Sequence, residues 1–260
     1  MLILIAESKT MTACDNAVGH DTYLSHRPAL EEQADEIMHE LRGMSVDSLM
    51  KEVKISLPMA QRLQRMIYDF PDKNAGSQAI EAFTGVVFKA FGYPALTDNE
   101  KARACARVRI VSSLYGWLRP DDIIKPYRFD FTTPLAPGHI PFLRFWRGYI
   151  TNCLLQYLTK HNETEILDLM PGDALRCFDN ARLREHATVW KADFKEMGTG
   201  GSLRTPNAGK LKTLRGKLLR RIICDDINTP QALASTDGDD YMADGMNHAA
   251  GTIGFITPAD

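Results

Sequence analysis

The amino-acid sequence predicts an α+β fold in which a mixed central β-sheet is surrounded by helices. Three observations carry this. Short, largely apolar runs at 2–5, 108–113, 165–170 and 187–194 suit strands. Longer stretches between them repeat apolar residues three and four apart, the period of helices with one buried face. No internal repeat and no convincing linker precedes residue 235, so a single domain over 1–260 is expected.

Taken in order, Leu2–Ile5 reads as a buried strand that ends abruptly at Glu7-Ser8-Lys9-Thr10. The segment 28–41 places Leu30, Ala34, Ile37 and Leu41 on one helical face, with Pro28 near its first turn and Gly43 just beyond its end. Residues 45–70 read as two helices joined around Ser56-Leu57-Pro58, and 77–91 as a further helix with Ile80, Phe83, Val87 and Ala90 inward. Together 45–91 forms a helical lobe. Thr97 and Glu100 spell a capping box opening a helix to about Ala106. After the strand at 108–113, an amphipathic helix over 141–158 carries Phe142, Phe145, Trp146, Tyr149, Ile150 and Leu154. A long helix over 207–225 turns Leu211, Leu214, Leu218 and Ile222 to one side, and Thr229-Pro230 starts a short one. The tail over 235–260 is rich in Gly and Asp, with a final strand at 252–256.

Composition narrows the class of function. With 44% hydrophobic and 25% charged residues, the chain has material for a sizeable core and is far from disordered compositions. A net charge of −2 argues against coating nucleic acid over the whole surface, while leaving room for a local basic patch. The five cysteines (Cys14, Cys105, Cys153, Cys177, Cys224) form no Cys-x-x-Cys pair, and the seven histidines no His-x-x-x-His pair. The opening residues lack the features of a secretion signal, and no apolar run reaches membrane-spanning length. The expectation is a cytoplasmic protein, monomeric, without metal or cofactor.

Three segments concentrate polar chemistry. Lys9-Thr10 directly follows the first strand, where a lysine meets a phosphate or simply sits exposed; no phosphate-binding loop accompanies it. The second runs from Arg109 through Ser112, Tyr115, Gly116, Arg119 and Pro120 to Lys125-Pro126-Tyr127-Arg128. Arginines there suit phosphates and tyrosine rings suit stacking on bases, although Tyr-Gly and Arg-Pro are equally turn chemistry. The third is the helix after Pro206, with Lys210, Lys212, Arg215, Lys217, Arg220 and Arg221 and no acid until Asp225. A block this one-sided points to an anionic partner. Asp168 and Asp173 flank a strand end as weaker acid–base candidates, with a cap or turn role as the plain reading. The helix pair in 45–70 resembles a helix-hairpin-helix, with Lys51, Lys54, Arg62 and Arg65 suitably placed but Leu57-Pro58-Met59 where that motif wants glycines.

These segments, in this order, resemble the YaaA family of bacterial peroxide-stress proteins. The resemblance rests on the opening strand with Lys9-Thr10, on Ser112-Ser113-Leu114-Tyr115-Gly116-Trp117-Leu118-Arg119-Pro120 with Pro126-Tyr127-Arg128, on Phe145-Trp146, and on Arg215-Gly216 with Arg220. It implies a part in peroxide stress and DNA binding, with Lys9, Arg119, Arg128, Lys212 and Arg215 on phosphates and Tyr115 and Tyr127 on bases. Thr10, Ser112 and Arg220 belong to the same expected basic cleft. An alternative is an enzyme acting on a nucleobase, nucleotide or DNA lesion, with Lys9 as nucleophile or electrostatic catalyst and Asp168 or Asp173 as general acid or base. The chain departs from the family pattern at three places. Glu7-Ser8 stands for Pro-Ala, Lys210 for a tyrosine, and Asp168-Leu-Met-Pro-Gly-Asp173-Ala174 for Asn-Leu-Ala-Ser-x-Glu-Tyr.

Overall fold

Strand β1 (Leu2–Ala6) lies inside a mixed sheet of eight strands, its side chains from Leu2 to Ile5 buried on both faces. A computed structural model describes residues 1–12, 26–71, 76–172 and 174–258. Helices α1 (Glu31–Leu41), α2 (Val46–Val53) and α3 (Leu57–Asp69) follow, then β2 (Ser77–Gln78), α4 (Ala79–Ala82) and α5 (Val86–Phe91). Next come α6 (Asp98–Arg107), β3 (Val108–Ser112), β4 (Gly116–Leu118), β5 (Ile123–Ile124), α7 (Phe142–His161) and β6 (Glu165–Asp168). The chain closes with α8 (Asn180–Arg184), β7 (Thr188–Met197), β8 (Leu203–Arg204), α9 (Ala208–Cys224), α10 (Pro230–Leu233), β9 (Met242–Asn247) and β10 (Thr252–Pro258).

The main sheet has the order β4-β3-β1-β6-β7-β10-β9, with β8 added on β7, while β2 and β5 pair separately. Strands β3, β1, β6, β7 and β10 run parallel; β4, β8 and β9 are antiparallel to their neighbours. The connection after β1 leads to β3 on one side, whereas that after β6 leads to β7 on the other. A crevice between neighbouring strands whose connections diverge is where open α/β sheets place ligands, at the strands' carboxyl ends. Glu7 to Thr10 and Asp168 to Met170 sit there.

Most expected elements are present. The capping box forms as predicted: Thr97 Oγ1 accepts from Glu100 N–H, and Glu100 accepts from Thr97 N–H. The single helix expected over 77–91 does not form. Phe83 is extended (φ −82°, ψ 121°), and the backbone here pairs with the loop after β1 through Thr12 N–H to Ala82 O and Thr84 N–H to Thr10 O. Gly85 allows that approach, since a Cβ on it would lie 2.3 Å from Ser8 Oγ. Phe88 and Phe91, rather than Val87 and Ala90, then become the buried residues of α5. The tail also holds more than its last strand: β9 pairs with β10 as an antiparallel hairpin.

Candidate functional site

Glu7 leaves β1 in register with Ser112, so strand alternation gives the two one face at the sheet's carboxyl end. The Oε2 atom of Glu7 accepts from Ser113 N–H at 2.8 Å and from the Tyr127 hydroxyl. Tyr127 Oη in turn lies 2.6 Å from Ser112 Oγ, which accepts from the N–H groups of Leu114 and Tyr115. Since Tyr127 donates to Glu7, Ser112 donates to Tyr127. Burial pushes the Glu7 carboxyl up to about 7, against the hydrogen bonds from Tyr127 and Ser113. Burial and the neighbouring Glu7 raise Tyr127 as well.

Tyr115 and Tyr127, expected to offer their rings to bases, are buried instead, at 3% and 4% exposure. Tyr127 packs edge-on against Phe83 and Tyr115 and stacks on Phe129, while Tyr115 Oη accepts from Lys125 N–H at 2.9 Å. Ser112 is fully buried too. These residues hold the site's walls. Arg119 is likewise committed, its guanidinium meeting both carboxylate oxygens of Asp121 at 2.8 Å.

Lys9 is the exposed cation of this region, its side chain 61% exposed and its Nζ 2.9 Å from Asp130 Oδ2. Burial would raise Asp130, but hydrogen bonds from Thr132 and Lys9 hold it down to about 2. Lysine nucleophiles are activated by desolvation or by a second cation, and Lys9 has instead solvent and a fixed carboxylate. Its geometry suits a charge for an anion. The Arg128 guanidinium donates to Lys9 O, and Thr10 Oγ1 lies 3.0 Å from Ser8 Oγ.

Asp168 is in register with Leu4, which gives it the opposite face from Glu7. It is buried, and its Oδ1 accepts from Met170 N–H at 2.8 Å. Burial raises its carboxyl to about 6, opposed by that N–H and by the charges of Lys191 and Arg215. The aspartate thus acts as the strand-end cap its sequence position suggests, with two cations beside it. Lys191 was not legible as a site residue because its neighbour across the sheet is set by register. Asp173, Cys14 and His20 lie outside the described residues.

The block of cations on α9 is largely answered from other elements. Lys210 binds Glu196 of β7 and Pro258 O, both at 2.7 Å; Lys217 pairs with Asp240, and Arg221 with Asp225. Arg220 donates to Phe91 O and Gly92 O at 3.1 Å, capping the last turn of α5. Lys212 is exposed and has no partner among the described residues. Among the described residues, the cations of α9 therefore divide into a majority held by other elements and Lys212, which is exposed.

The raised carboxyls make a testable statement about stability. A carboxyl lifted on folding holds its proton more tightly in the folded chain, so stability falls as pH rises between the two pKa values. Glu7 acts between about 4.5 and 7, and Asp168 adds to the same direction from 3.8 to about 6. Urea midpoints measured across that window are expected to decline with rising pH, and Glu7→Gln to flatten the decline.

Sheet order, strand-end carboxyls and the serine-tyrosine turn together define a mixed-sheet α/β protein with a polar site at a topological switch point. The chain belongs to the peroxide stress protein YaaA family, whose model matches residues 1–246. It is similar to a UPF0246 protein of Parabacteroides distasonis, at 29% identity over 235 residues and 90% of each chain. A UPF0246 protein of Janthinobacterium sp. (strain Marseille) is 28% identical over 249 residues, covering 94% of this chain and 93% of the relative. One from Salinispora tropica is 32% identical over 156 residues, 59% of this chain and 58% of the relative. Among the described residues, no helix is long and apolar enough to cross a membrane.

Proposed function

We propose that this protein serves the cellular response to peroxide stress by binding DNA through its phosphates. Family membership supports the peroxide role. One observation supports the binding surface: Lys212 is exposed, with no partner among the described residues, on a helix whose other cations are mostly committed, one turn from Arg215. Lys9, Thr10 and Arg128 supply a second contact region after β1, and Arg215 lies beside Asp168. Ser112, Tyr115, Arg119, Tyr127 and Arg220 shape the protein rather than touch the ligand. Such binding is independent of sequence and weakens with salt, because each neutralised phosphate releases condensed counterions.

The test is a mobility-shift titration with duplex DNA at several salt concentrations. Lys212→Ala and Lys9→Ala are each expected to flatten the log–log salt slope by about one. Slopes equal to wild type in both variants would sink the reading. A second reading, an enzyme acting on a nucleobase, nucleotide or DNA lesion, is favoured by one observation: Glu7 and Asp168 are both held near neutrality, where a carboxyl gives and takes protons readily. In that reading Lys9 supplies charge and Asp168 or Asp173 acid–base chemistry.

A further inference from the structure

The exposed side of α7 meets α8 in an open groove of about 540 Å³, lined by Asn152, Gln156, Thr159 and Lys160 of α7, Arg182 of α8, and His186. Leu155 supplies its apolar side chain. Lys160 is exposed, with no partner among the described residues. Arg182 Nη1 donates at 3.2 Å to Asn152 Oδ1, which leaves the Asn152 amide hydrogens and the other guanidinium N–H groups as donors. Thr159 Oγ1 donates to Leu155 O at 2.9 Å. His186 Nδ1 lies 2.9 Å from Arg182 O, and since a carbonyl only accepts, that nitrogen carries the proton. Acceptors in the groove are thus largely used, and donors and cations are left over.

Among the described residues, no carboxylate lines the groove. Asp179, at the start of α8, is held by Arg147 at 3.7 Å and by the N–H groups of Ala181 and Arg182. Glu185 is exposed and stands outside the lining.

We propose that this groove is a second contact surface for the phosphates of duplex DNA, separate from the region of Lys9 and Lys212. The inference rests on the reading of the chain as a DNA-binding protein. A phosphodiester brings negative charge and acceptors only, which suits a surface of spare donors. An acidic peptide would bring backbone N–H groups too, and few acceptors remain for them. No Phe, Tyr or Trp lines the groove, so it lacks the stacking platform that single strands use. From Asn152 to Lys160 the helix rises about 12 Å, room for about three phosphates of one strand at about 3.4 Å of duplex axis each.

Position keeps the two surfaces apart. Lys160 and His186 stand shortly before Glu165 and Thr188, where the parallel strands β6 and β7 begin. That end of the groove therefore lies toward the sheet's amino end, whereas Lys9 and Thr10 follow β1 at its carboxyl end. One chain can then hold two duplex segments. With Lys160 and Arg182 as its cations, the groove is the weaker site, with a log–log salt slope of about −2.

The experiment is a fluorescence-anisotropy titration of the full chain, at low salt, with duplex DNA about one helical turn long. Wild type is expected to show two binding events, the weaker one with the shallow slope. Lys160→Ala combined with Arg182→Ala should lose the weaker event and keep the tighter. Lys9→Glu combined with Lys212→Glu should lose the tighter event and keep the weaker. Gln156→Glu, which sets a carboxylate in the groove, should weaken the second event by at least about tenfold. Lys160, Arg182 and Gln156 are all exposed, so these changes leave the core intact. A single event in wild type, unchanged in both groove variants, overturns the proposal and leaves the Lys9–Lys212 surface standing. A groove variant that loses binding while the Lys9–Lys212 variant matches wild type sinks only that other surface. Polyglutamate held by wild type and released by the groove variant, with duplex binding unchanged, overturns the proposal in favour of an acidic protein partner.

Discussion

Replacing Trp146 with alanine is expected to lower stability by about 3–5 kcal/mol, the range for emptying a buried aromatic site. Trp146 is fully buried on α7, in edge contact with Phe145 and Tyr149. Its indole N–H donates at 2.7 Å to Ser113 O, at the turn that also positions the Glu7 anchor. Gly116 packs against the same ring: its φ is +66°, and a Cβ there would fall 2.8 Å from the indole. Substitution therefore removes contacts from both sides and leaves a buried carbonyl unpaired. In a chain of this length the melting temperature should drop on the order of 10 °C. Trp146→Phe should recover about half the loss, separating ring volume from the hydrogen bond. A melting temperature unchanged by Trp146→Ala would contradict the packing described.

The second large effect is expected at Gly216, where α9 crosses α5. A Cβ at this position would lie 2.3 Å from Val87 O and 2.6 Å from Ala90 Cβ. The first of these is a backbone carbonyl inside the facing helix, so it has no rotamer by which to move aside. Gly216→Val is expected to cost about 3 kcal/mol through overpacking, despite replacing a glycine within a helix. Gly216→Ala sets the same clash against about 1 kcal/mol of helix propensity, so it should be the milder variant. Because Lys212 and Arg215 ride on α9, displacement of the helix should also weaken the proposed DNA binding. Urea unfolding of both variants checks the order. Gly216→Val as stable as wild type would show that the two helices have room between them.

How far the sequence spoke can be judged from such contacts. Long periodic helices and the buried strands were legible because spacing alone distinguishes one-sided from two-sided burial. The break at Phe83–Gly85 was not, since the apolar period of 77–91 survives it while the cause, Ser8, lies far away in sequence. Strand β9 was hidden for another reason. Its residues, Met242-Ala-Asp-Gly-Met-Asn247, have little intrinsic strand preference and are held by pairing with β10.

The site shows the same division. Lys9, Arg128, Lys212 and Arg215 were visible as cations near strand ends or on a basic helix. Their accounting was not, because Glu196 and Asp240, which answer Lys210 and Lys217, come from other elements. Glu7 showed in the sequence as the polar end of the first strand and as a departure from the family pattern, with no sign of its partners. Its importance depends on Tyr127, 120 positions away, and on a backbone N–H of the turn after β3. A carboxyl perturbed by burial has no mark in local sequence; the partners that bury it are tertiary. Tyr115 and Tyr127 looked like stacking residues for the complementary reason, that ring burial is equally invisible there.

The most direct measurement of the central claim is binding of the wild-type chain to duplex DNA, RNA and mononucleotides by mobility shift and competition at low and moderate salt. With Lys9, Arg128, Lys212 and Arg215 on phosphates as proposed, the slope of log affinity against log salt on duplex DNA should be about −3 to −4. Duplexes of unrelated sequence should bind alike. Absence of a shift at low salt, or affinity indifferent to salt, would contradict the assignment of this surface to DNA phosphates.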